Sequence, residues 1–91
     1  MDMRPMELRD TVELMNSADY KERFQAEYLQ LRIRHGKLKY LLERNDEGTL
    51  NFVLTCPIEL LKAQEKAMAS YLHMLQLRAE FESVELADKL K

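Results

Sequence analysis

The chain has 91 residues, 46% hydrophobic and 33% charged, with two glycines and two prolines. That balance describes one small helical domain and excludes a turn-rich β-sandwich or a disordered chain. The 14 basic and 16 acidic residues leave a net charge of −2, which argues against a generic nucleic-acid binder, and one cysteine excludes an internal disulfide and a cysteine-based zinc site. No apolar run reaches the ~20 residues that span a membrane. The N-terminal string MDMRPMELRD is charged and has no apolar signal core, so the expectation is a cytoplasmic protein.

Residues 1–16 read as an N-terminal arm and 17–91 as a helical hairpin domain. In the arm a short helix is expected over 5–15, with Pro5 at a first helical position and Met6, Leu8, Val12 and Met15 on a rough apolar side. So short a helix is marginal alone and must dock on something. A long helix is expected from Tyr20 to Arg44. Asp19 is a suitable N-cap, and Glu22 three residues on completes a capping box. Phe24, Tyr28, Leu31, His35, Leu38 and Leu42 follow at intervals of three and four and form one seam. The string Asn45-Asp46-Glu47-Gly48 ends this helix. Leu50, Phe52 and Leu54 alternate with polar or smaller neighbours, the period of an extended segment, and are expected to lie across the hairpin as a lid. A second long helix starts near Pro57, with Thr55 or Cys56 as its N-cap. Its seam is Ile58, Leu61, Met68, Leu72, Leu75 and Ala79, broken by Gln64 and Glu65. Fraying is expected from Ser83, with Leu86 and Leu90 extending the helix or packing separately.

The fold class is therefore all-α: an antiparallel helical hairpin with a short N-terminal helix or arm. Leu29, Ile33, Tyr40, Leu41, Leu60, Tyr71 and Leu77 lie off the two seams. A chain this small has little core to spare, so the surplus predicts a homo-oligomer, an oligomeric helical bundle.

Catalysis has no support in the motifs: there is no phosphate-cradling loop, nucleophile elbow or metalloprotease helix. The expectation is a non-enzymatic protein without cofactor or metal, since His35 and His73 lack ligand spacing. Charge is unevenly spread. Residues 20–44 carry a net +4, while 1–19 carry −3 and 57–91 carry −1. The string RIRHGKLK, residues 32–39, holds four basic residues and no acid. On a helix Arg32 and Lys39 share one edge of the seam with Lys21, whereas Arg34 and Lys37 point the opposite way. Such a row is either a solvated face or an anion site that oligomer symmetry concentrates. Tyr20 and Tyr28 lie close enough to stack on a base or offer a hydroxyl. The candidate ligand-binding residues are thus Tyr20, Lys21, Tyr28, Arg32, His35 and Lys39, with His35 also read as a hydrogen-bonded seam residue. A small phosphorylated ligand suits this set better than duplex DNA, which would want a larger positive face.

The strings DYKERFQAEYLQLRIRHGKL, residues 19–38, and TCPIELLKAQEKAMASYLHMLQLRAE, residues 55–80, resemble short proteins of gut bacteriophages and prophages related to a crAss-like phage protein. The resemblance covers about residues 17–86 and implies a phage origin, hence a bacterial host cytoplasm. A looser, architectural likeness is to phage sponge proteins that sequester immune cyclic nucleotides. They too place a tyrosine-bearing long helix, a Cys-Pro turn and a second long helix in this order. The likeness rests here on Tyr28-Leu29-Gln30-Leu31-Arg32 and Cys56-Pro57, and implies compact homo-oligomers with ligand held between subunits. The residues and the resemblance together support two functions. The first is sequestration of a cyclic-nucleotide immune signal. The second is a protein-interaction module that clamps a host or phage protein helix-in-groove.

Overall fold

A computed structural model describes residues 6–86; the expected roles of Pro5 and Leu90 lie outside the described residues. The order is a 3-10 turn at Leu8–Thr11, α1 at Val12–Met15, α2 at Tyr20–Glu47 and α3 at Ile58–Glu82. No strand occurs among the described residues. The fold is all-α, with α2 and α3 packed as a hairpin.

The arm is tighter than a single helix over 5–15. Glu7 and Asp10 cap it reciprocally: the Glu7 backbone N–H donates to Asp10 Oδ2 at 2.8 Å, and the Glu7 side chain accepts from the Asp10 backbone. Thr11 then fixes the arm to α2. It is 0% exposed, its Oγ1 donates to the Leu8 carbonyl at 2.7 Å and accepts from Gln30 Nε2 at 3.0 Å. The arm thus docks in cis on α2. Leu29, expected as surplus surface, is 5% exposed beside Ala26 at 1%, because α2 is covered on two sides in its first half.

Asp19 caps α2 by accepting the Lys21 backbone N–H at 3.0 Å. The expected capping box with Glu22 does not form directly. Ser17 stands between the two: its hydroxyl donates to Glu22 and accepts the Asp19 N–H at 3.0 Å. The helix continues three residues past Arg44, to Glu47. Gly48 then enters the left-handed region at φ 74°, a conformation that costs glycine little. The Thr49 N–H returns to the Arg44 carbonyl at 2.9 Å, as in a Schellman closure.

The segment after it forms no strand pairing among the described residues. Phe52 and Val53 are 55% and 88% exposed, so the lid is incomplete: Leu50 and Leu54 are half-buried while Phe52 stands open. The N-cap of α3 is Pro57 itself, at φ −59° and ψ 138°, with no side-chain cap bond; neither Thr55 nor Cys56 takes that place. At the other end Ser83 turns left-handed at φ 57°, and the Val84 N–H reaches the Ala79 carbonyl at 2.9 Å. The chain turns back there, burying Val84 and Leu86 at 5% and 3% exposure.

The core gathers Phe24, Tyr28, Leu75, Ala79, Val84 and Leu86, with Leu31 and Leu72 packed against it. It sits where the start of α2 meets the end of α3. The far end, with Leu38, Leu42, Ile58 and Leu61, is only half-buried. Two clamps close the rim of the core. The Arg78 guanidinium lies 4.7 Å from the centroid of the Phe24 ring, and the Tyr71 hydroxyl donates to the Glu27 carboxylate. That bond, then burial and the negative charge of Glu27, raise the Tyr71 pKa above its ordinary value of 10.0, against the opposing Arg78 charge. The contact's contribution to stability is therefore fully present below pH 10 and is lost as pH rises through the raised value. Glu27→Gln is expected to bring the Tyr71 midpoint down in a phenolate absorbance titration; an unchanged midpoint would refute the contact.

Candidate functional site

The six residues expected to bind ligand are spread along α2. Lys21 and Lys39 are 18 residues apart, about 27 Å along the helix axis, so one chain does not gather them. Tyr20 is half exposed, and Lys21 and Arg32 are half-buried, while Lys39 is exposed. Tyr28 is 1% exposed. Its ring is enclosed by the core cluster and its hydroxyl accepts from Gln76 Nε2 at 3.2 Å, so in this chain it supports the hairpin and offers no face for stacking. His35 Nε2 and Glu65 Oε2 are 2.7 Å apart, with side chains 15% and 24% exposed. The pair bridges α2 and α3 at the polar break of the second seam. His35 thus takes the hydrogen-bonded seam role; its partner, 30 residues away, carries no local signal in the sequence.

Two concavities flank the far half of α2. Lys39 lines a groove of about 560 Å³ between α2 and α3. Lysines 39, 62 and 66 share it with Glu43, Asp46, Glu59 and Glu65. Those carboxylates offset the lysines, so the groove is not a concentrated cationic cavity.

The second concavity lies on the other side of α2, under the loop. It measures about 360 Å³ and is lined by Lys37, Tyr40, Leu41, Arg44, Leu50, Asn51 and Phe52. The helical residues recur at i, i+3, i+4 and i+7, which places them on one face. Gly48 returns the chain so that the loop residues close the opposite wall. Arg44 holds that wall: Nε donates to Thr49 Oγ1 at 2.8 Å and Nη2 to the Thr49 carbonyl at 2.9 Å. Nη1 donates to the Tyr40 hydroxyl at 2.7 Å, and the guanidinium stands 5.6 Å from the Tyr40 ring centroid. Tyr40 and Phe52 remain 59% and 55% exposed. Among the described residues Arg32, Arg34, Lys37 and Lys39 take part in no salt bridge.

This pocket joins two cations, two aromatic rings and an amide, with no carboxylate in its lining among the described residues. Lys37 and Arg44 can neutralise phosphate, the rings can stack on a base, and Asn51 offers both a donor and an acceptor. In the sequence Tyr40 reads as surplus apolar surface, Phe52 as lid, and Lys37 as a cation on the side opposite Arg32 and Lys39, so the pocket stays hidden. The face spacing of Lys37, Tyr40, Leu41 and Arg44 was the available signal; the arrival of Phe52 depends on the loop path.

No helix among the described residues is long and apolar enough to cross a membrane. Searches against curated proteins and solved structures return no match. A protein-family model described as Sequestin matches residues 18–81, a span that takes in α2, the loop, the pocket and nearly all of α3. With most of its length inside that match, the chain belongs to the Sequestin family.

Proposed function

We propose that this chain sequesters a small anionic nucleotide, a cyclic-nucleotide immune signal, and holds it without transforming it. The family name points to sequestration. The observation that carries the reading is the pocket of Lys37, Tyr40, Arg44, Asn51 and Phe52, where, among the described residues, cations and exposed rings meet without a carboxylate. Its volume of about 360 Å³ lies at the small end of the ~300–1,000 Å³ typical of small-molecule sites, which suits one nucleotide unit. A phage origin, as the sequence resemblance implies, makes this an anti-defence protein acting in the bacterial host cytoplasm. Assembly into a homo-oligomer would multiply the sites.

Calorimetric titration with 3′,5′-cyclic mononucleotides and cyclic dinucleotides tests this. Lys37→Glu is expected to weaken binding about 10- to 100-fold, the worth of one charge-assisted contact at ~1.5–3 kcal/mol, and Phe52→Ala by a comparable factor through lost stacking at ~1–3 kcal/mol. Arg32→Glu and Lys39→Glu distinguish the alternative edge of α2: if only these abolish binding, the site is the row of Arg32 and Lys39. Absence of heat with every nucleotide contradicts the reading. A second reading, capture of a protein partner, applies if a foreign chain and not a second copy covers the exposed apolar residues of α3, Leu60, Met74 and Phe81 among them.

A further inference from the structure

α3 carries a second repeat on the side turned away from α2. Its large members are Leu60, Met74, Leu77 and Phe81, which are 60%, 58%, 44% and 90% exposed. Ala63, Ala67 and Ser70 fill the positions between, also exposed. From Leu60 to Phe81 the intervals alternate strictly between three and four, the spacing of a coiled-coil seam, and no member is charged. The stripe spans 22 residues, about 32 Å. The contact with α2 uses different residues, Leu72, Leu75 and Ala79 among them, so among the described residues the outer seam is left without a partner.

We propose that this seam binds the same seam of a second copy, antiparallel, about a twofold axis at the level of residue 72. Two features of the sequence on this helix select that partner and that direction. In this register Ser70 faces Met74 of the second copy, Ala67 faces Leu77, and Ala63 faces Phe81. Each of these three layers joins one small and one large side chain, the twofold axis repeats each of them, and Leu60 lies beyond the paired stretch, past the end of the second copy's α3. A parallel pair in register would instead set alanine on alanine and phenylalanine on phenylalanine, leaving voids beside crowded layers. The flanks agree. Lys66 and Glu80 border the same side of the seam, and antiparallel packing sets Lys66 of each copy beside Glu80 of the other. Both are exposed, and neither takes part in a salt bridge among the described residues. The register has a consequence for the groove of Lys39: Ala63 lines it, so Phe81 of the second copy would stand at its rim and turn it into a subunit boundary.

This deepens the self-association named under the proposed function and rests on that part alone, since the dimer is read without nucleotide. Sedimentation equilibrium of the full chain, free of ligand, is expected to give twice the chain mass. Met74→Glu, at an exposed position where the monomer fold tolerates charge, raises the dimer dissociation constant about tenfold or more while helicity by circular dichroism stays unchanged. Lys66→Glu and Glu80→Lys each weaken the dimer, and the double variant restores it. A wild-type monomer overturns the proposal, as it would if a foreign protein were the occupant. A dimer indifferent to Met74→Glu overturns it too, and failure of the charge swap to restore association rejects the antiparallel register. Loss of nucleotide binding alone, with the dimer intact, counts against the proposed function and leaves this interface standing.

Discussion

Leu75→Ala lowers the stability of the folded chain by about 2–5 kcal/mol, the usual cost of a leucine-sized cavity. Leu75 is 1% exposed and sits where α2, α3 and the returning tail meet, among Phe24, Tyr28, Ala79, Val84 and Leu86. These neighbours come from three separate stretches of chain. Collapse into the cavity would therefore require α2, α3 and the tail to shift together, which places the cost toward the upper part of that range. A domain of this size has about 5–15 kcal/mol in total, so the loss is a large share of it. Urea denaturation followed by circular dichroism measures the difference. His73→Ala, at an exposed position on the same helix, is the control and stays within about 0.5 kcal/mol of wild type. Equal effects from the two would show that the core is not where the fold places it.

Tyr28 separates a structural role from a binding one. Tyr28→Ala is expected to cost about 3–5 kcal/mol, as for other buried aromatic truncations, because the ring is enclosed at 1% exposure. Tyr28→Phe keeps the ring and removes the hydroxyl that accepts from Gln76 at 3.2 Å, at about 0.5–1.5 kcal/mol. If Tyr28 belongs to the core, the phenylalanine variant binds nucleotide as the wild type does. A tenfold loss of affinity in Tyr28→Phe, with the fold intact, would return the residue to the binding site.

The hairpin was legible because its signals are local and periodic. The seam from Phe24 to Leu42, the cap at Asp19 and the stop at Gly48 all act within one or two turns, and the structure uses each of them. Leu72, Leu75 and Ala79 were readable for the same reason. What failed depended on distant partners. Leu29 reads as surplus until the arm, fixed through Thr11 and Gln30, covers its side of α2. Tyr28 has the chemistry of a stacking residue, and its burial at 1% exposure in a cluster that includes the returning Val84 and Leu86 is not visible in the local sequence. The short-range capping box of Glu22 gave way to Ser17, a hydroxyl close enough to serve both groups. The site shows the same pattern. The basic character of α2 was visible, but the side that acquires aromatic rings is decided by the loop that brings Phe52 to Tyr40. A period-two string states which residues alternate; it does not state which helix face they cover.

Sequestration differs from catalysis in what is recovered. The measurement that decides it is native mass spectrometry of the protein with a panel of cyclic mono-, di- and trinucleotides and cyclic ADP-ribose isomers, followed by denaturation and mass analysis of the released ligand. Sequestration gives an adduct at integral stoichiometry with at least one of them, weakened in Lys37→Glu, and a released molecule of unchanged mass. No adduct with any member of the panel, or release of a cleaved product, would contradict it.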